Sequence, residues 1–199
     1  MEVEMMGYNI FYEGIINIDR PLDDETYRII QGLGNTRRMI WDAYKLEEDG
    51  IAEMGDIGLF GELFFGFQDM KPNKKRELEA RYVLDYNCPP PGQPSLWGVW
   101  IVTEDRMGLV WNRNGNSYYG HEWLKYLVKR ILAPKGYHAS GIINWFAEDT
   151  WSGSKRYTVV DGTSVRKCWG YSKQQKEPDR KAWYEEMEGG YEESLQGTL

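Results

Sequence analysis

Cysteine and histidine are scarce in this chain: Cys88, Cys168, His121 and His138 are the only ones among 199 residues. A zinc site needs paired ligands at short spacing, and these four are scattered, so no metal site is expected. The amino-terminal stretch MEVEMMGYNIFYEG has acids where a secretory leader has bases, and it lacks the leader's apolar run. No segment approaches the roughly 18 apolar residues of a membrane span. Nothing in the cysteine usage indicates an oxidising compartment. These absences point to a cytoplasmic protein. Bases are also in deficit, 24 Lys and Arg against 31 Asp and Glu, for a net charge of −7. That field opposes duplex nucleic acid, whose phosphates require a basic footprint. The 22 glycines fall into neither GxxxxGK[ST] nor GxGxxG after a strand, which excludes the phosphate-loop classes.

What is abundant is aromatic: nine Trp and 14 Tyr in a chain that is 41% hydrophobic. Such a load supplies a core and favours strands. YNIFYEGIINID alternates as a half-buried strand does, with Gly14 marking a bulge or a close backbone approach. DRPLDDETYRIIQGLG reads as a helix with Asp23 as N-cap and Gly32 or Gly34 as its stop. MIWDAYKLEEDGIAEMGDIGLFGELFFGF is expected to form two or three strands joined by turns at Asp49-Gly50 and Gly55-Asp56. Residues 68–81 are charged and read as an exposed loop or short helix. The prolines of NCPPPGQP force an extended connector, an internal seam near residues 86–96. LWGVWIVTEDRMGLVW is a hairpin turning at EDRMG, and Asn114-Gly115 is a second tight turn. HEWLKYLVKRILAPKG is a helix with one broad apolar face, ended by Pro134 and Gly136. Three strands follow, with turns at 148–153 and Asp161-Gly162. Residues 173–199 form a polar, acidic tail with a short helix around Trp183.

GIIN occurs twice, at 14–17 and 141–144. The helix order around the two copies differs, which argues for two buried strands sharing a local solution; an old duplication is the competing reading. The architecture expected is α+β, one domain over residues 1–172: a twisted, mostly antiparallel sheet with two helices packed on one face.

Catalytic candidates are weak. Cys88 is proline-locked with no base nearby, and His121 opens a helix. Glu104-Asp105 and Glu148-Asp149 adjoin turns, where Asp bonds its own backbone. No catalytic residue and no cofactor are assigned. One constellation stands out, Arg interleaved with rings: Arg37, Arg38 and Trp41, then Arg106, Trp111, Arg113, Tyr118, Tyr119 and Trp123. Guanidinium groups grip phosphates bidentately and rings stack on bases, so this set suits a small phosphorylated ligand. The competing reading makes the rings core and the Arg stems their cover.

The segments RPLDDETYRIIQGLGNTRRM, DYNCPPPGQPSLWGVWIVTED and HEWLKYLVKRILAPKGYHASGIINWFAED together resemble a family of small uncharacterised proteins of phages and other mobile elements. The resemblance covers most of residues 7–165. The resemblance implies a Gly-Glu-Asp and a later Asp-x-Gly around the last hairpin, and this chain departs from that, reading FAEDTWSGS there. What the resemblance implies is a small accessory phage protein that counters a host defence. Two expectations follow. One is a non-catalytic binder that sequesters an immune nucleotide signal. The other is a protein–protein inhibitor of a defence nuclease, its acidic surface standing in for DNA. A virion or assembly component is a further alternative. The partners expected are accordingly a small phosphorylated ligand or a host defence protein, with homo-oligomer formation left open.

Overall fold

The computed structural model of the chain describes residues 10–66, 70–114, 118–147 and 156–169. Six strands build one antiparallel sheet: β1 (Ile10–Ile18), β4 (Trp100–Val102), β5 (Gly108–Trp111), β6 (Ala139–Ala147), β7 (Arg156–Asp161) and β8 (Ser164–Trp169), in the order β4-β5-β1-β6-β7-β8. A two-stranded sheet pairs β2 (Ile40–Trp41) with β3 (Val83–Asp85). The fold is α+β.

The central pairing explains the repeated GIIN. β1 and β6 are antiparallel neighbours in a register that sets Gly14 opposite Ile143, Ile15 opposite Ile142 and Ile16 opposite Gly141. Each glycine therefore faces the second isoleucine of the other copy. Gly14 and Gly141 both have positive φ, 120° and 153°, and a Cβ at either would stand 2.4 Å from a carbonyl oxygen, of Ile142 and Ile15 respectively. Only glycine allows the two backbones to approach so closely in that conformation. The shared sequence is thus a shared contact, made by the two copies with each other. Ile16 and Ile143 are buried, whereas Ile15 on the opposite face is 41% exposed. The expectation that both faces would be buried is corrected on that point.

Helix α1 (Asp24–Asn35) and helix α5 (Gly120–Tyr126) pack with the sheet into one apolar cluster. Asp23 caps α1, its carboxylate accepting from the Thr26 amide at 2.7 Å, and the cap's hydrogen bonds hold the Asp23 pKa down to about 2. Gly32 and Gly34 do not stop this helix; it runs on to Asn35. Their role is clearance, since a Cβ on Gly34 would meet the Trp100 carbonyl at 2.3 Å and one on Gly32 the Phe65 ring at 2.2 Å. The α1–β4 contact is therefore backbone-close, and it brings Ile30 and Leu33 against Trp100 and Val102. Beyond α5 the chain widens into a π-helical turn, Leu127–Leu132, then a 3₁₀ turn, Ala133–Lys135, and stops at Gly136 in the left-handed conformation. Leu127, Val128, Ile131 and Leu132 all face the core across that turn. Burial of Trp100 and Trp123, at roughly 150–250 Å² each and about 25 cal/mol/Å², contributes several kcal/mol apiece to holding helices on sheet.

The segment expected to form two or three strands folds differently. It contributes the two residues of β2 and then helices α2 (Ala43–Glu48) and α3 (Met54–Ile57). Asp42 caps α2, accepting from the Lys45 amide at 3.0 Å, and AYKLEE is rich in helix formers. The stretch after α3 cannot extend as a strand because Gly58, Gly61 and Gly66 all have positive φ. Helix α4 (Pro72–Tyr82) occupies the charged stretch, with Pro72 at its first position. Met39, Trp41, Leu46, Ile57 and Tyr82 make a second, smaller apolar cluster. The turns expected at Asn114-Gly115 and 148–153, and the tail 173–199, lie outside the described residues; the turn at Asp161-Gly162 is present.

Candidate functional site

The nine Arg and aromatic residues singled out in the sequence take different positions. Trp41 and Trp123 are core. Arg38 is fully buried, and its guanidinium donates to Gln93 Oε1, Thr36 Oγ1 and the carbonyls of Gly61, Glu62 and Phe64. Burial pulls its pKa down to about 10, so it is still a cation at neutral pH; its hydrogen-bond acceptors are all neutral, and the Glu62 carboxylate adds a Coulombic attraction without an ion-pair contact. Arg38 ties the irregular loop 61–64 to the proline-rich connector; it has no donor left for a ligand. Arg37 lies nearer the surface, over Tyr86 at 4.8 Å and Trp97 at 5.7 Å, and bonds Asn87. Arg106, at the β4–β5 turn with φ 62°, pairs with Asp24 and lies over Tyr27 at 4.5 Å. It fastens the hairpin to the start of α1. Trp111 packs edge-on to Phe11 and Tyr12. Arg113, Tyr118 and Tyr119 are exposed. The sites of Arg37, Arg106 and Trp111 are separately occupied, and the nine do not gather around one cavity.

A groove forms instead on the outer side of α5 and its π-helical extension. It encloses about 350 Å³ and is lined by Tyr119, Lys125, Tyr126, Lys129 and Arg130, with Gly92 and Pro94 opposite. Local hydrogen bonds explain why these groups meet. Tyr12 Oη accepts from the Gly120 amide at 3.0 Å, and Trp100 Nε1 donates to the Gly120 carbonyl at 2.8 Å, which fixes the start of α5. Burial raises the Tyr12 pKa, so its hydroxyl is neutral in this role. Trp123 Nε1 donates to Ser95 Oγ at 2.9 Å and Gln93 Nε2 reaches Tyr126 Oη at 3.4 Å, so the connector is tied along the helix. The π-helical turn then directs the consecutive Lys129 and Arg130 outward while Leu127, Val128, Ile131 and Leu132 stay buried. Turns of this kind recur at functional sites.

Electrostatics sharpen the picture. Lys125, Lys129 and Arg130 form no ion pair among the described residues, because the one acid in the groove, Glu122, is bound to Lys167 at 2.7 Å. Three cations without an ion pair among the described residues make an unusual patch in a chain of net charge −7. His121, behind the groove, contacts Thr158 Oγ1 at 3.2 Å; burial first, and Lys167 second, push its pKa down to about 4. It is neutral at physiological pH. Of the nine expected side chains, Tyr119 lines this groove. The cations were missed because 125, 129 and 130 read as the solvated face of an amphipathic helix. The signal that could have found them is the lack of an acid at i±4 from any of the three.

No nucleophile–base pair is assembled at the catalytic candidates that are described. Cys88 is exposed and free, its Sγ 3.6 Å from the Pro89 carbonyl. Asp105 accepts from the Thr103 hydroxyl and the Met107 amide, turn bonds that hold its pKa down, and Glu148-Asp149 lies outside the described residues. Among the described residues no group of three or more His, Cys, Asp or Glu is placed to hold a metal ion. No helix among them is long and apolar enough to cross a membrane. No family model matches the chain, and neither does any curated protein or solved structure.

Proposed function

We propose that the protein is a non-catalytic binder that captures a small phosphorylated ligand in the groove over α5. The observation that carries this reading is the triad Lys125, Lys129 and Arg130, which forms no ion pair among the described residues and is flanked by Tyr119 and Tyr126. Phosphate oxygens accept from ammonium and guanidinium groups, and an exposed phenol ring offers a face for a base. The groove's volume suits a nucleotide-sized molecule and not a duplex. The resemblance to phage accessory proteins supplies the context, in which capture withdraws an immune nucleotide signal by stoichiometric binding. Sequestration of that kind requires affinity and no turnover.

Native mass spectrometry of the protein purified from cells making such signals tests the reading. The expected result is a discrete added mass that matches a nucleotide and is lost on denaturation. Lys129→Ala and Arg130→Ala should each weaken capture by about tenfold or more, the worth of one charge-assisted hydrogen bond, without moving the unfolding midpoint. An apo mass throughout, or capture indifferent to both substitutions, refutes it.

A further inference from the structure

A second cleft lies away from the α5 groove, where α1 meets the segment containing α2 and α3. It encloses about 580 Å³. Its wall is apolar, with Ile51, Leu63 and Phe64, and its rim is acidic, with Glu47, Glu53 and Asp56. Arg28 also lines it, but Asp56 neutralises that charge at 3.2 Å. Glu47 accepts from the Met54 amide at 3.2 Å, which fixes its carboxylate at the rim with no cation beside it among the described residues. Glu53 forms no ion pair there either. Across residues 43–66 six carboxylates face the single Lys45. Ile51 is 38% exposed, an apolar side chain left open at the mouth of an acid-rimmed cleft.

Charge decides what can fill it. A second copy would set the rim carboxylates Glu47 and Glu53 against their own like charges. The chain's own residues 185–199, with five acids and no base, are repelled for the same reason. A cationic occupant gains at Glu47 and Glu53, and the apolar wall requires that it also carry large apolar side chains. We propose that this cleft docks a basic, apolar-anchored segment of a partner protein. One or two of its apolar side chains seat on Ile51, Leu63 and Phe64, and Lys or Arg on either side meets Glu47 and Glu53. The division of labour is the usual one at interfaces, with a desolvated apolar centre giving hold and a charged rim giving selectivity and rate.

The test uses the full chain and a fluorescein-labelled amphipathic Leu/Lys helical peptide, read by fluorescence anisotropy at low and high salt. Two controls accompany it, a peptide with Leu replaced by Ser and one with Lys replaced by Glu. The Leu/Lys peptide should bind and both controls should fail. Glu47→Gln with Glu53→Gln should weaken binding about tenfold, and Ile51→Ser by a similar factor, while Glu104→Gln at the remote β4–β5 turn changes it less than about twofold. The urea midpoint of each variant is measured alongside; if Ile51→Ser lowers it, the carboxylate pair decides alone. Equal binding of the Ser-substituted peptide overturns the proposal, because it reduces the effect to net charge. So does Glu104→Gln doing as much damage as the cleft pair. A dimer in sedimentation that Ile51→Ser disperses would assign the cleft to a second copy instead.

Discussion

Replacing Arg38 tests whether a buried cation hydrogen-bonded only to neutral acceptors among the described residues holds this architecture together. Its guanidinium donates to Thr36 and Gln93, both buried, at 3.0 and 2.9 Å, and to the carbonyls of Glu62 and Phe64 at 2.9 and 3.0 Å, with Gly61 at 3.4 Å. Removing the cation recovers its own desolvation penalty, several kcal/mol for an ion taken from water. Against that, Arg38→Ala leaves Thr36 Oγ1, Gln93 Oε1 and the Phe64 carbonyl without a donor, at about 1–3 kcal/mol each where water cannot reach them, and opens a cavity of side-chain size; the Glu62 and Gly61 carbonyls keep the Gln93 side-chain amide and the Phe64 N–H. The orphaned acceptors win. The expected loss is about 4 kcal/mol, within the range for breaking a buried charged network, and a large share of the 5–15 kcal/mol typical of a domain. In a chain of this size that lowers Tm by roughly 8–16 °C. Arg38→Lys keeps the charge but offers three donors in place of five, so it should fall between, near about 2 kcal/mol. Urea unfolding followed by tryptophan fluorescence measures both, since Trp41 and Trp100 report on the two apolar clusters. A loss under about 1 kcal/mol for Arg38→Ala would refute the reasoning. Loss of ligand capture at unchanged stability would return Arg38 to a binding role.

Three other outcomes follow from geometry already described. Gly14→Ala and Gly141→Ala each set a Cβ 2.4 Å from a carbonyl on a positive-φ backbone, so each should cost about 2 kcal/mol or more in urea midpoint analysis. Gly55→Ala meets nothing within 4 Å and lies in helix α3, so it should be neutral or stabilising by up to about 1 kcal/mol. His121 has a folded pKa of about 4, below its unfolded value of 6.5, so between those values the unfolded chain binds the extra proton. Its contribution is complete above pH 6.5 and is lost as pH falls toward 4; because the ring is only half-buried, that loss is discounted to about 1–2 kcal/mol. His121→Gln should flatten the stability slope in that window, whereas the depressed carboxyl of Asp23 acts lower, as pH falls from 3.8 to about 2.

The sheet and its two main helices were legible because their signals are local. Asp23 sits where an N-cap belongs, EDRMG turns a hairpin, and the stripe from Trp123 to Ile131 buries one face. Residues 43–66 misled because their aromatic and Gly-rich composition resembles bulged strands, while the Asp42 cap that starts α2 is a weaker sign in the same window. Gly32 and Gly34 read as a helix stop, since the close pass of β4 over α1 is a long-range fact. Arg38 was illegible for the same reason. Its partners are carbonyls of an irregular loop more than twenty residues away, and no residue pattern announces a carbonyl. At the groove, Tyr119 was found by type, but its cations gather there only because the connector folds back along α5.

The interlock of the two GIIN segments has a consequence for how the chain assembles. Read in opposite directions, each copy is its own complement, a palindrome in protein form: glycine accepts the neighbour's second isoleucine whichever copy supplies it. β1 leaves the ribosome long before β6 exists, and until then the nearest complement is the β1 of another nascent chain. The central seam is the pairing that must wait longest, so it is where crowded synthesis and concentrated refolding would cross-pair two molecules. A motif that makes the sheet's centre so specific within one chain also leaves it unable to tell self from sibling.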